Sequence, residues 1–290
     1  MWPCSKVGHK KANGGDFYET TQSTGESSLR RYSHGSPIRC IQRGTVYRQL
    51  VRVIDTLDDR FCLGLCDTCP QAVLDRRLES SSVEVGISIA HELGAATYVQ
   101  ADLAIDADRV RLVKEAVAYR GRLDVIVNNA GISRVVPHSN MQAATPYIWR
   151  ELHEVNVIAP FRIVAEAEAA LRASASEGVP ACVINVSSHA GIRPKGASIP
   201  YAATKAALNH VTRLLALSLA PDIRVNAVAP GLVNTPLTAS WTEAQELWRE
   251  RAPMRRAASP EDIAQTVSML IESKYLTGEI LLSDGGLNLT

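Results

Sequence analysis

From about Val73 onward, short apolar segments alternate along the chain with longer segments of helical periodicity. Leu123–Val127, with the sequence LDVIV, lacks the polar alternation of a half-exposed strand, as expected where both faces are buried. Thr145–Ser174 has the residue spacing of a helix, and Ala181–Val186 is the next strand. Because strands that alternate with helices form a parallel sheet covered on both faces, we predict a single α/β domain with a doubly wound, mostly parallel, Rossmann-like sheet.

The rest of this domain follows the same alternation. The further predicted elements are strands at Ala96–Ala101, Arg224–Ala229 and Leu276–Leu282 and helices at Asp106–Arg120 and Tyr201–Leu219. The last of these helices ends before Pro221, because proline cannot continue a helix. Ser259 begins one more helix, since it is a capping residue followed by Pro260 and by acids near the positive helix end.

Residues 1–72 have a different composition. They are rich in Arg, Ser, Gly and Thr and hold five of the six cysteines. Their hydrophobic periodicity is weak, and Val51–Ile54 is the one candidate strand. We therefore divide the chain into an atypical segment at 1–72, disordered or foreign to the fold, and an α/β domain at 73–290.

Composition excludes several classes of function. The 290-residue chain has a formal net charge of +1, which argues against a nucleic-acid partner and against an acidic membrane surface. It has no apolar run of about 18 residues, so we expect no membrane span. The N-terminal region lacks the apolar core of a secretory signal, and its acids argue against a transit peptide. We expect a cytoplasmic protein with reduced cysteines that acts on a small molecule.

The strongest chemical signal is formed by Ser188, Tyr201 and Lys205. In Tyr201-Ala-Ala-Thr-Lys205 the phenol and the ammonium lie four positions apart, on one face of one helix. A free Tyr has a pKa of about 10, and a nearby cation lowers it toward the range that suits general acid–base catalysis. Ser188 follows a strand at the sheet edge that borders the ligand crevice of such folds, where its hydroxyl can bind a reacting oxygen.

These residues also have ordinary structural explanations. A Tyr and a Lys occur at this spacing by chance, and Ser188 can simply cap a strand. His189 beside Ser188 suggests a Ser–His hydrolase, but the Gly-x-Ser-x-Gly turn of such enzymes is missing. The combination of Ser188, Tyr201 and Lys205 in this order favours acid–base chemistry.

Five motifs in the same order resemble the short-chain dehydrogenase/reductase family. They are Asn128-Asn129-Ala130-Gly131, Asn156-Val157, Asn185-Val186-Ser187-Ser188, Tyr201-Ala-Ala-Thr-Lys205 and Pro230-Gly231. The resemblance covers about Val73 to Gly286 and is greatest to the 3-oxoacyl-(acyl-carrier-protein) reductase and the sugar or polyol dehydrogenase branches. It implies an oxidoreductase that transfers a hydride between the nicotinamide of NAD or NADP and a carbonyl or alcohol, without a metal.

The resemblance also implies a role for each site residue. Tyr201 would be the general acid/base, Lys205 would lower its pKa and bind the nicotinamide ribose, and Ser188 would hold the substrate oxygen. Asn156 would fix a water that passes protons from Lys205 to solvent. The residues implied to contact the cofactor, besides Tyr201 and Lys205, are Asp75, Asp102, Leu103, Asn128, Ala130, Gly131, Pro230, Gly231, Val233 and Thr235.

Some of these cofactor assignments have alternatives. Asp102 can cap the following helix, and the motifs at 128–131 and 230–231 can be ordinary turns. Asp75 follows a candidate second strand and suits the ribose hydroxyls of NAD, whereas Arg76 and Arg77 suit the additional phosphate of NADP. The preference between NAD and NADP therefore stays open.

One part of the family pattern is missing. The resemblance requires a Thr-Gly-x3-Gly-x-Gly turn after the first strand, where glycines let the backbone approach the pyrophosphate. At the expected position, Ile54–Cys62, the sequence IDTLDDRFC has no glycine, and its aspartates would repel phosphate. Either residues 1–72 come from a shifted reading frame or a misassigned start, which the abrupt change in composition favours, or the chain has become a binding or scaffolding protein without cofactor.

Cys62, Cys66 and Cys69 have a spacing that can hold an iron–sulfur cluster. The rest of the chain argues for another fold, so a chance grouping is the simpler explanation.

Substrate identity is weakly encoded. Asn234–Arg256 is expected to form a mobile lid over the pocket. The candidate substrate contacts are Trp241, Leu247, Trp248, Met254, His138, Asn140 and Arg193. The resemblance implies a homo-dimer or homo-tetramer formed through the two long helices near Thr145–Ser174 and Tyr201–Leu219.

Overall fold

The computed structural model describes residues 50–53, 73–74, 87, 90–91, 96–236 and 238–290. Within these ranges the chain forms parallel strands and six α-helices. The strands are β1 (Leu50–Val53), β2 (Val73–Leu74), β3 (Thr97–Tyr98), β4 (Val125–Asn128), β5 (Ala181–Val186), β6 (Ile223–Pro230) and β7 (Ile280–Ser283). The helices are α1 (Asp106–Arg120), α2 (Pro146–His153), α3 (Ala159–Ser174), α4 (Ile199–Leu219), α5 (Thr242–Arg251) and α6 (Pro260–Glu272).

The strand order confirms the predicted fold class. Five strands form a parallel sheet in the order β1-β4-β5-β6-β7, and β2 pairs with β3. Because β2 also contacts β1, the direction of winding reverses between β1 and β4. In open parallel sheets, ligands bind at the carboxyl ends of the strands beside such a reversal.

The sheet is buried on both faces, which explains its unbroken apolar strands. Ile126 of β4 belongs to a core on one face that includes Leu112 of α1 and Ile163 of α3. Its neighbour Val127 belongs to a core on the other face that includes Val267 of α6. Since successive side chains of a strand point to opposite faces, every position of β4 is buried.

A row of buried polar side chains joins the carboxyl ends of β4 and β5 to α4. Asn128 Nδ2 donates to Asn185 Oδ1 at 2.9 Å, and Asn185 Nδ2 donates to Thr212 Oγ1 at 2.9 Å. Thr212 Oγ1 in turn donates to the carbonyl oxygen of Leu208 at 2.8 Å. Because buried polar groups need partners, this row fixes how the two strands and the helix meet.

Helix boundaries agree with most of the expectations. α1 has the predicted bounds, and α6 begins with a reciprocal pair of hydrogen bonds between Ser259 and Asp262. The predicted helix at 145–174 is α2 and α3, joined by a π-type turn at Glu154–Ile158. α4 begins before Tyr201, because Ser198 caps it.

The ends of the sheet differ from the expectations. Leu276 lies before β7, because its carbonyl oxygen accepts hydrogen bonds from the side chains of Arg224 and Asn226. β1 is close to the strand predicted at 51–54, so one strand of the sheet comes from the segment before Val73. The division of the chain at residue 72 stays a prediction. None of the described helices is long and apolar enough to cross a membrane.

Candidate active site

The residues predicted to be catalytic meet at the carboxyl edge of the sheet. Ser188 comes two residues after β5, and Tyr201 and Lys205 lie on the first two turns of α4. The side chains of Ser188 and Tyr201 are hydrogen-bonded to each other. Lys205 Nζ lies 5.9 Å from the centre of the Tyr201 ring. The fold therefore brings together the hydroxyl, the phenol and the amine that the sequence singled out.

Contacts that the sequence analysis missed hold α4 against the loop after β5. Ser198 Oγ accepts a hydrogen bond from the Tyr201 backbone nitrogen at 3.2 Å, and Ser187 Oγ donates to the Lys205 carbonyl oxygen at 3.2 Å. A Cβ on Gly191 would lie 2.7 Å from the Lys205 carbonyl carbon, so the approach requires glycine. A Ser followed two positions later by Pro is the helix-start signal that could have revealed Ser198.

The acidity of Tyr201 differs from the expectation. Burial raises the pKa of Tyr201 above its ordinary value of 10.0, and the hydrogen bond with Ser188 opposes this only in part. Lys205, whose Nζ donates to the carbonyl oxygen of Val186 at 2.9 Å, does not offset this effect of burial in the protein by itself, so the predicted lowering is not found there. Tyr201 therefore carries its proton at neutral pH and is ready to act as an acid.

The amine of Lys205 is far less basic than a free lysine. Its side chain is buried, and burial lowers the pKa of Lys205 to about 8. An amine with this pKa exchanges protons readily with its surroundings near neutral pH.

Asn156 lies in the π-type turn between α2 and α3 and is completely buried. Its Nδ2 donates to the carbonyl oxygen of Ile132 at 2.9 Å and to Thr204 Oγ1 at 3.1 Å, and its Oδ1 accepts from the Ile132 nitrogen at 2.9 Å. Since both amide hydrogens are used, the side chain can meet a water only as an acceptor. An additional residue in a helical turn is a frequent feature of functional sites.

Gly131 faces both Asn156 and Lys205. A Cβ on Gly131 would lie 3.3 Å from Asn156 Oδ1 and 3.3 Å from Lys205 Nζ. The two polar atoms therefore border one narrow space beside the backbone after β4. Asn128, at the end of β4, adds a buried Oδ1 that has no hydrogen-bond partner among the described residues. Glycine and a free acceptor at this edge fit a polar ligand that passes close to the backbone, as a nicotinamide ribose would.

The predicted cofactor contacts after β6 have defined positions. Pro230 ends β6, and the backbone nitrogen of Gly231 donates to the Ser283 carbonyl oxygen at 2.9 Å. Val233 forms an isolated parallel bridge with Ala258, and the Thr235 nitrogen donates to Thr238 Oγ1 at 3.1 Å. Ala130 packs against the core.

Two more of the predicted cofactor contacts lie in the turn before α1. The side chain of Leu103 lies in the core, and its carbonyl oxygen accepts from Arg109 Nε at 2.6 Å. Asp102 Oδ1 accepts from the Ala104 nitrogen at 2.9 Å, so Asp102 organises the turn before α1. Contact of either residue with the cofactor stays a prediction. Asp75 lies outside the described residues, as do the glycine-free stretch at 54–62 and the three clustered cysteines.

His189 does not form the arrangement of a hydrolase. Its Nε2 lies 3.5 Å from Asp284 Oδ2, and its ring meets the edge of Trp248 with centroids 6.0 Å apart. Ser188 Oγ accepts instead from the Ala190 nitrogen at 3.1 Å. Among the described residues, no group of three or more His, Cys, Asp or Glu side chains could hold a metal ion.

Several residues predicted to reach substrate are engaged by the protein itself. His138 Nε2 is 3.1 Å from the Gly196 carbonyl oxygen, and Asn140 caps a short helical turn. Arg193 Nη2 donates to the Asn288 carbonyl oxygen at 2.8 Å. The predicted lid contains α5, on which Trp248 is directed toward the body of the domain.

Comparisons with known proteins identify the family of this chain. Residues 74–288 match the family model described as Enoyl-(Acyl carrier protein) reductase. Ketoacyl reductase 2 of the granaticin polyketide synthase from Streptomyces violaceoruber is 45% identical over 215 residues, which cover 72% of this chain and 83% of that protein. The 3-oxoacyl-(acyl-carrier-protein) reductase of Thermotoga maritima is 36% identical over 187 residues, which cover 63% of this chain and 73% of the relative.

A solved structure gives the same result for the fold. The 3-ketoacyl-(acyl-carrier-protein) reductase of Brucella melitensis, complexed with NADH, superimposes with a TM-score of 0.74 and 27% identity. The superposition covers 84% of this chain and 99% of that one.

A doubly wound parallel sheet with Ser188, Tyr201 and Lys205 at its carboxyl edge defines a class of nicotinamide-dependent oxidoreductases. Within that class, the match over residues 74–288 and the identity to the granaticin reductase place the chain in one family. The chain belongs to the short-chain dehydrogenase/reductase family, as the five motifs predicted, and it is an NAD(P)-dependent oxidoreductase of that family.

Proposed function

We propose that this protein reduces a ketone to an alcohol, with Tyr201 as the proton donor. The observation that carries the proposal is the protonated phenol of Tyr201, hydrogen-bonded to Ser188 and followed one helical turn later by Lys205. A proton donor must lie within hydrogen-bond reach of the oxygen that it protonates. A carbonyl oxygen that takes the place between Ser188 and Tyr201 meets this condition.

A reduced nicotinamide, when bound, supplies the hydride that reaches the carbonyl carbon. The side chains of this protein then handle one proton. Ser188 donates a hydrogen bond to the carbonyl oxygen and polarises it, and Tyr201 transfers its proton to that oxygen as negative charge develops there. The step leaves the alcohol, the oxidised nicotinamide and the Tyr201 phenolate, and Lys205 stabilises this phenolate by its positive charge.

The next proton for Tyr201 must come from within the site. Lys205 has a pKa of about 8, so its ammonium can return a proton to the phenolate near neutral pH. Asn156 Oδ1 and Lys205 Nζ border the same space beside Gly131. This placement supports a proton relay in which a water donates a hydrogen bond to Asn156 Oδ1 and returns a proton to the amine of Lys205.

We propose a 3-oxoacyl thioester as the substrate class. Two relatives of this chain, from Streptomyces violaceoruber and Thermotoga maritima, are named as reductases of ketoacyl groups. Turnover of acetoacetyl-coenzyme A with NADH or NADPH tests this choice. Oxidation of glucose without any reduction of acetoacetyl-coenzyme A would contradict this substrate class and would indicate a sugar dehydrogenase instead.

Cofactor binding needs a direct measurement, because Ile54–Cys62, the stretch that follows β1, has no glycine. We expect NADH or NADPH fluorescence to change in a saturable way on addition of the protein. Asp75 directly follows β2, the position from which an acid contacts the ribose hydroxyls of NAD. We therefore expect Asp75→Ala to weaken NADH binding more than NADPH binding.

Tyr201→Phe tests the proposed chemistry. We expect at least about a 100-fold loss of kcat, because general acid catalysis contributes on that order, with unchanged binding of NADH or NADPH. Tyr147→Phe is the matched control, since Tyr147 is exposed on α2. Full activity of Tyr201→Phe would contradict the proposal.

We also propose a homo-oligomer formed through the long helices. Phe161 on α3 and Leu217 on α4 are exposed apolar side chains, with 48% and 83% of their surface accessible. Apolar side chains on helix faces are typical of subunit interfaces. Leu217→Glu should shift the mass measured by light scattering toward the monomer, whereas Met141→Glu, at another exposed apolar position, should not.

A cytoplasmic location is proposed on chemical grounds, because the nicotinamide dinucleotides that this chemistry consumes are held inside cells. Cell fractionation with an antibody to the protein tests it.

A further inference from the structure

α5 differs from the other α-helices in the described part of the chain. Each of the others contributes at least one buried residue, whereas α5 has none. A helix with so little buried surface belongs to the least stable parts of a fold. The contacts that attach α5 to the domain therefore decide whether it stays in place.

Trp248 makes such contacts. Its Nε1 donates to the Asp284 carbonyl oxygen at 3.3 Å, and its ring meets the His189 ring edge-on, with centroids 6.0 Å apart. It also lies on Gly231, where an added Cβ would come 2.9 Å from Trp248 Cζ2. We call the surface formed by His189, Gly231 and Asp284 the Trp248 socket.

The residues of the socket belong to three separate parts of the site. His189 directly follows Ser188, and Gly231 follows β6 on the side predicted to contact the cofactor. Asp284 lies directly after β7, and its carboxylate accepts from the Gly286 nitrogen at 2.9 Å and from the Asn288 nitrogen at 2.7 Å. One indole thus touches the loop that carries the substrate-binding hydroxyl, the cofactor side and the C-terminal turn.

The absence of a side chain at Gly231 gives the indole of Trp248 the space that it occupies in the socket. A Cβ there would lie 2.9 Å from Trp248 Cζ2 and 2.9 Å from the Asp284 Cα, so any larger residue would displace the indole or the backbone behind it. Aromatic pairs in an edge-on arrangement contribute about 0.5–1.5 kcal/mol beyond their buried area. His189 is itself buried, so its ring presents a fixed surface to Trp248.

We propose that Trp248 is a positioning residue, which holds α5 over the site by seating its indole in the socket and so fixes the Ser188 loop and the Gly231 backbone for substrate. The inference rests on the proposed ketone reduction, because the closed position of α5 matters only if a substrate enters beneath it. Trp248 takes no part in proton or hydride transfer. Its role is to set the fraction of molecules in which the pocket is assembled.

Limited proteolysis of the full chain with NADH present measures the attachment of α5 without any need for activity. Arg249, Arg251 and Arg255 are exposed trypsin sites at the end of α5 and just beyond it. We expect Trp248→Ala to speed cleavage at these sites by at least about 5-fold, because local opening exposes the backbone. Trp248→Phe should lie between the wild type and Trp248→Ala, since it keeps ring contacts but loses the hydrogen bond to Asp284.

Kinetics provide the second readout. Trp248→Ala should raise the KM for acetoacetyl-coenzyme A by at least about 10-fold and change kcat less, because the chemical groups stay in place once substrate is bound. Trp149→Phe is the matched control, since Trp149 stacks on His153 of α2 and should alter neither cleavage nor KM.

Wild-type cleavage rates in Trp248→Ala would overturn the inference. Should Trp248→Ala fail to fold, His189→Ala decides, because removal of one wall of the socket should also speed cleavage. A protein that reduces no ketone at all would refute the proposed function, and the proteolysis result would still decide whether Trp248 anchors α5.

Discussion

Lys205 Nζ donates a hydrogen bond to the carbonyl oxygen of Val186, the last residue of β5, at 2.9 Å. The amine of α4 is therefore held by the strand that leads to Ser188, and its position depends on the sheet as well as on its own helix. Two effects act on the charge of Lys205. Burial disfavours the charged amine, whereas the proposed chemistry needs the positive charge to stabilise the Tyr201 phenolate.

The first prediction concerns the cost of burying Lys205. Burial lowers the pKa of Lys205 from 10.5 to about 8, so between these values the unfolded chain binds the proton and the folded chain does not. The free energy of unfolding of the wild type should therefore rise with pH across this window, relative to that of Lys205→Met. The total change is on the order of 3 kcal/mol, since each pKa unit corresponds to about 1.36 kcal/mol.

Urea unfolding at several pH values between 7.5 and 10.5 measures this difference. Lys274→Met, at an exposed position, is the control for the change from Lys to Met itself. A constant difference between the wild type and Lys205→Met across the window would contradict the burial of a titrating amine.

The second prediction separates two glycines of the site. In Gly131→Ala the new Cβ lies 3.3 Å from Lys205 Nζ and from Asn156 Oδ1, which must shift by a few tenths of an ångström. We expect kcat to fall by about 10-fold or more, because small misplacements of catalytic groups are costly, while the thermal midpoint changes little. In Gly191→Ala we expect a loss of about 1–3 kcal/mol in the free energy of unfolding, since its Cβ would lie 2.7 Å from backbone that cannot move freely.

Thermal melts and steady-state kinetics on both variants test this contrast. Equal losses of stability in Gly131→Ala and Gly191→Ala would contradict this prediction, because they would show that Gly131→Ala disturbs the packing of the fold and not only the polar atoms of the site.

The third prediction concerns the buried polar row at the ends of β4 and β5. Thr212→Val removes the acceptor of Asn185 Nδ2 and leaves a buried donor without a partner. We expect a loss of about 1–3 kcal/mol in the free energy of unfolding, measured by urea denaturation. Thr212→Ser should recover most of it, because the hydroxyl is restored. Thr266→Val on α6, where the hydroxyl bonds only to its own helix, serves as the control.

The fourth prediction concerns the effect of acidic pH on stability through His189. Burial lowers the pKa of His189 below 6.5, and the positive charges of Arg193 and Lys195 add to this, whereas Asp284 opposes it. As pH falls below 6.5, the unfolded chain takes up a proton before the folded chain does. The wild type should therefore lose stability relative to His189→Gln as pH decreases from 6.5 through the lower pKa of the folded state.

Chemical denaturation of both proteins between pH 7 and pH 4.5 checks this. A gain in the relative stability of the wild type on acidification would mean that the ion pair with Asp284 outweighs burial.

Prediction from sequence succeeded where neighbours along the chain carry the information. Alternating apolar segments and helical spacing identified β5 and α1 with their bounds, because hydrophobic period and helix signals are local. The spacing of Tyr201 and Lys205 placed both on one helix. It could not reveal that burial raises the pKa of Tyr201, since that depends on segments that close over the phenol in the folded chain.

The sequence by itself determined the class of fold and the candidate catalytic side chains, because both follow from residue types at short, regular spacings. Tertiary structure alone decided how those side chains are held. The side-chain nitrogen of Asn156 donates hydrogen bonds to Ile132 and Thr204. Gly131 leaves space for the amine of Lys205, and the Trp248 ring packs against the His189 ring. The physical reason is that burial, close packing and hydrogen-bond partners arise between segments far apart in the chain, where no local pattern records them.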